Sequence, residues 1–145
     1  MKNKIGFNLL VWSGGLPDSF LPVTDRLKEL GYDGIECFME ERDKAVYKRF
    51  GNHLRTIGLE ATCVLGVGPD ENPISDSRAI REKAIVRLKE AIDCAHALDS
   101  KIIAGPFHSA FATLPTAVHR KIRNMHGVQR SYVLPVNMQP RRTSY

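Results

Sequence analysis

The side chains able to do chemistry sit in or just after short apolar runs. Trp12 follows Lys4–Val11, Glu36 and Cys63 lie within the runs 34–38 and 61–65, and His108 and Phe111 lie in the loop after 101–105. His108, in a polar loop, can bind a hydroxyl or a phosphate, or be a solvated imidazole. Glu36 can line a pocket or tie a hydrogen-bond network. Cys63 reads as a small buried hydrophobe and not as a nucleophile. Glu40, Glu41, Arg42 and Asp43 read as a solvated helix face. The three cysteines, Cys37, Cys63 and Cys94, are far apart and form no CxxC pair. Neither a zinc site nor a disulfide framework is expected, and a reducing cytoplasm is the default location. No residue is assigned as catalytic or as a metal ligand.

These residues need elements to position them. Strands are expected at Lys4–Val11, 34–38, 61–65 and 101–105. Between them, Pro17-Asp-Ser opens a helix with Leu27 and Leu30 inward and Gly31 at its end. Glu40–Ile57 is a second helix, with Val46, Phe50, Leu54 and Ile57 on one face and Gly58 after it. Asp76 or Ser77 caps a third, striped by Ile80, Ala84, Leu88, Ile92 and Ala95. Alternating strand and helix imply a parallel sheet with helices outside it. One repeat takes about 32 residues, so eight would take about 260, close to the ~250 of a (β/α)8 barrel. The expected fold is therefore a partial TIM barrel, with four strands and three helices in residues 1–112. No GxGxxG or GxxxxGK[ST] sequence follows a strand, which removes the common nucleotide-binding folds.

Several segments carry a resemblance. Gly6-Phe-Asn8 with Trp12-Ser13, Leu30-Gly-Tyr-Asp-Gly-Ile-Glu36, residues 54–66 and Ala104-Gly-Pro-Phe-His-Ser-Ala-Phe111 resemble the sugar phosphate isomerase/epimerase family. The D-tagatose/D-psicose 3-epimerases are its nearest subgroup. The resemblance implies a xylose isomerase-like barrel that moves a proton between the faces of a ketose or aldose through an ene-diolate. It implies a divalent metal (Mn, Mg or Co) in the full-length relative, held by Glu, Asp, His and Glu on strands five to eight. Those strands fall outside the similar region, so no metal is expected for this chain alone. What carries over is the first half of a pocket wall: Trp12 as a ring near the sugar, Cys63 on the third strand, and the loop Gly105–Phe111 with His108 and Phe111; Glu36 joins the substrate-binding candidates on its own position. An endonuclease IV-like enzyme shares the barrel and is the alternative within it.

The net charge of +5 is concentrated at one end. Residues 1–112 carry 15 basic and 16 acidic side chains, whereas residues 113–145 carry six basic and none acidic. Arg120-Lys121-x-Arg123 and Arg141-Arg142, with Tyr132 among them, could contact phosphates, but no reading element accompanies them. Nucleic acid is not the expected partner. Read one base out of frame, residues 129–145 can instead decode as an amphipathic helix running into a strand. A single insertion or deletion near codon 112 accounts for the charge break and the lost periodicity together. The expectation is an inactive, truncated half barrel with an irregular tail. Its partners would be a sugar or sugar phosphate and, through bare strand edges, further copies of itself. The start of the chain mimics a signal peptide only faintly: eight apolar-leaning residues, Asn8 among them, without a small-x-small site. No apolar run is long enough to span a membrane.

Overall fold

The computed structural model describes residues 3–111. The expectations for the basic segment, its Arg and Lys clusters included, lie outside the described residues. Four parallel strands stand in chain order, β1 (Gly6–Asn8), β2 (Gly34–Phe38), β3 (Glu60–Val64) and β4 (Ile103–Ala104). Helices α1 (Leu21–Glu29), α2 (Lys44–Ile57) and α3 (Arg78–Leu98) connect them. This is the expected α/β arrangement of four strands and three helices. None of the described helices is long and apolar enough to cross a membrane.

Side-chain alternation gives the sheet two unlike faces. Ile35, Cys37, Cys63 and Leu65 are buried among the helices, with Tyr47, Phe50 and Leu54 of α2 and Ala91, Cys94 and Leu98 of α3. Gly34, Glu36, Thr62 and Val64 alternate to the other face. There Asn8 and Ala104 are exposed and Glu36 is half-exposed. α2 and α3 cross closely because Gly51 has no side chain: a Cβ there would stand 2.8 Å from the Ala97 carbonyl oxygen.

Several boundaries differ from expectation, each for a local reason. β1 stops at Asn8, whose side chain accepts the Leu10 amide at 2.8 Å and caps a 3-10 turn over Leu9–Val11. α2 begins at Lys44 and not at Glu40, because the Asp43 carboxylate accepts the Ala45 amide. Glu40 to Asp43 are therefore a loop and not a helix face. Leu30 does not face inward: it is the C-cap of α1, where the chain swings out through Gly31 at φ +90°, and it is exposed. On α3 the buried stripe is Ala84, Arg87, Ala91, Cys94, Ala95 and Leu98, and Ile92 is exposed. Small residues on the sheet side set that face, and a search for large aliphatic residues misses it.

Candidate functional site

The inner face of the sheet holds one polar pair. Asn8 and Glu36 are register partners on β1 and β2, so their side chains project side by side. The Asn8 amide donates to Glu36 Oε1 at 2.7 Å. Thr62 is the β3 partner of Glu36. The three residues belong to a concavity of about 340 Å³. Glu36 has no cationic partner among the described residues, so its second oxygen remains an acceptor for a ligand hydroxyl.

The loops beyond the strands' C-terminal ends are fixed from below. Three donors from the helix layer reach successive parts of the loop after β2. Arg87 donates to the Met39 carbonyl, Tyr47 Oη to the Glu41 carbonyl at 2.8 Å, and the Cys94 thiol to the Arg42 carbonyl at 3.6 Å. Burial pushes the Tyr47 hydroxyl far up, so it remains a donor. Arg42 then bridges Glu71 at 2.6 Å and Glu90 at 3.2 Å. The hydrogen bond that the guanidinium donates to Glu71 pushes its pKa further up and fixes it as a cation. The Glu40 amide donates to the Gly14 carbonyl at 3.1 Å, which ties the loops after β1 and β2 together. Between these loops lies an open groove of about 820 Å³, with Asp18, Glu40, Glu41, Arg42 and Arg49 in its walls. The sequence reading missed this groove because it took residues 40–43 for helix. The signal that finds it is Asp43, a capping residue placed just before the apolar spacing of α2.

His108 and Phe111 lie on the loop after β4, which is strapped to the loop after β3. Phe111 N donates to the Val67 carbonyl at 2.9 Å, and Ala110 N to Asn72 Oδ1 at 3.1 Å. His108 is exposed and the Phe111 ring is 69% exposed, whereas Phe107 turns into the core. Trp12 is 54% exposed, stacked on Phe7 with centroids 4.7 Å apart and edge-on to Phe20 at 6.2 Å. Trp12 and His108 thus lie beyond the strands' C-terminal ends, whereas Glu36 is the middle residue of β2, in a concavity that runs back to Lys4 and Glu60. Among the described residues no hydrogen bond or ring contact joins them.

Cys63 stands elsewhere. It is the register partner of Cys37 on the helix-facing side, fully buried, with the two sulfurs 4.0 Å apart. The expectation that it lines the pocket is corrected by strand parity, because the place beside Glu36 belongs to Thr62. The hydrogen bond with Cys63, and then burial, push the Cys37 thiol well above its ordinary range. Folding retains that proton. All three thiols are buried, so we expect no labelling by a disulfide-exchange reagent at pH 8 within minutes and three equivalents in denaturant. Rapid native labelling of any of them contradicts this packing.

Parallel strands in chain order, helices on one face and an open polar face beneath fixed loops define a segment of a β/α barrel with its working end at the strands' C-terminal ends. A family model described as xylose isomerase-like TIM barrel matches residues 24–128, well over half of the chain, and the chain belongs to that family. The match includes residues 113–128 of the basic segment. Among solved structures, a D-allulose 3-epimerase from Methylomonas sp. in complex with D-allulose is 25% identical, with a TM-score of 0.69 over 88% of this chain and 45% of its own. A protein from Anabaena variabilis assigned to the sugar phosphate isomerases/epimerases is 16% identical, with a TM-score of 0.77 over 90% of this chain and 48% of its own. D-Psicose 3-epimerase from Clostridium cellulolyticum H10, with D-tagatose, is 16% identical, with a TM-score of 0.68 over 88% and 47%. The last two likenesses speak to fold alone. The chain spans about half the length of these structures. Among curated proteins, none matches it.

Proposed function

We propose that these residues form the sugar-binding first half of an isomerase or epimerase barrel and are inactive by themselves. Its ligand is a ketose, or its phosphate, bound over the C-terminal ends of the strands. The observation that carries the reading is the Asn8–Glu36 pair on the open face of the sheet, below loops that are tied to one another. Glu36 accepts a sugar hydroxyl, the Trp12 ring offers an apolar surface to the sugar's C–H face, and His108 and Phe111 border the opposite side. A divalent metal (Mn, Mg or Co) belongs to the proposal for the complete barrel. The described residues do not fit it, since no three His, Cys, Asp or Glu side chains among them converge. The part of these residues is to bind and orient the sugar, and proton transfer is not assigned to them. A cytoplasmic location is part of the proposal and is supported by the three free thiols.

Trp12 is the only tryptophan and stands at the proposed site, so its emission reports binding directly. Titration with D-allulose, D-fructose, D-tagatose and their phosphates should give a saturable change with at least one of them. Glu36→Gln should weaken it roughly tenfold or more, as loss of a charge-assisted hydrogen bond does. A linear, unsaturable response to every sugar from a folded protein overturns the reading.

A further inference from the structure

We propose that two copies of this chain close into one eight-stranded barrel, with β4 of each copy beside β1 of the other. β1 pairs only with β2 and β4 only with β3, so each outer strand has a bare edge among the described residues. The strands are all parallel and their spatial order is their chain order. A half-turn about an axis along the strands therefore brings the β4 edge of one copy against the β1 edge of the other with the same polarity. Any other arrangement of two copies leaves edges unpaired or sets strands antiparallel.

The exposed apolar side chains are placed to match. Among the described residues, six of the ten large exposed hydrophobic ones lie next to these two edges in the chain. Ile5, Leu10, Val11 and Trp12 lie along and above β1, and Ile102 and Phe111 lie before and after β4. Closure sets Phe111 of one copy over Leu10–Trp12 of the other and covers Ile102 against the start of β1. A concentration of exposed apolar surface at two complementary edges marks an interaction surface. The four described strands of each copy come to eight in two copies, the number that closes a β/α barrel. The closed mouth would hold two Asn8–Glu36 pairs and two Trp12 rings. What the mouth binds rests on the sugar reading above, but closure itself does not.

The test is sedimentation velocity of the full 145-residue chain, wild type and variants. The wild type should sediment as a dimer. Val11→Asp and Ile102→Asp, on opposite edges, should each weaken dimerisation at least tenfold, and Leu30→Asp, on an exposed helix end, should not. An equimolar mixture of Val11→Asp and Ile102→Asp should recover dimer, because one of its two edge pairings is then free of both charges. Circular dichroism verifies that each variant is folded. A wild-type monomer at all concentrations overturns the proposal. So does a dimer that Ile102→Asp leaves intact, the outcome of β1-to-β1 pairing, or a mixture that recovers nothing. Sugar binding by Trp12 emission is scored separately, so a monomer that binds sugar removes closure alone.

Discussion

Phe50→Ala should lower the melting temperature of this chain by about 15–30 °C. Phe50 is fully buried on α2, where Gly51 lets α2 and α3 come close. Truncating a buried phenylalanine costs about 3–5 kcal/mol, part lost transfer energy and part cavity. Each kcal/mol shifts the midpoint of a domain this small by about 4–8 °C. Tyr47, Leu54 and Leu98 of the same buried cluster are themselves fully packed and are not free to refill the space. The measurement is a thermal melt followed by helix circular dichroism. A shift of less than about 5 °C would mean that the α2–α3 seam is not the core of the fold.

Gly105→Ala should cost about 3 kcal/mol and disturb the site as well as the fold. The chain leaves β4 through Gly105 at φ +116°, a conformation that other residues rarely adopt. A Cβ there would stand 2.5 Å from the Leu65 carbonyl oxygen and 3.0 Å from Val64 Cγ1. Backbone strain and overpacking each contribute about 1–3 kcal/mol. The strain falls on the strap that holds the loop carrying His108 and Phe111 against Val67. Amide exchange at Phe111, and at Leu65, which donates to the Ala104 carbonyl at 2.8 Å, should therefore quicken before the rest of the sheet opens. Unchanged exchange at both amides, with an unchanged melting temperature, contradicts the geometry.

The elements were legible in the sequence where a chemical signal was local. Gly31 and Gly58 stop α1 and α2 as expected, both at positive φ. The run at 34–38 becomes β2 and most of 61–65 becomes β3, each a short apolar-rich run that follows a helix-ending glycine, Gly31 or Gly58. What the sequence concealed was relational. Strand parity depends on register, and only the pairing of Glu36 with Thr62 places Cys63 under the helices. The buried face of α3 depends on what it packs against, so Ala84, Ala91 and Ala95 outrank Ile92. Arg87 gave no sign of burial, because a single arginine in a helix reads as surface until a carbonyl such as that of Met39 is found above it. The loop at Glu40–Asp43 reads as helix by composition and becomes a site wall only once Asp43 is seen to cap α2.

The most direct test of the central claim is a map of backbone amide shifts during titration with D-allulose, followed by D-fructose and D-tagatose. The account predicts saturable changes at Asn8, Trp12, Glu36 and the loops at 66–68 and 105–111. It predicts none at the opposite end of the sheet beyond the concavity, where the C-terminal ends of α2 and α3 bring Arg55 within 3.8 Å of Asp99. Saturable changes confined to that opposite end, or no change with any ketose in a folded sample, would contradict it.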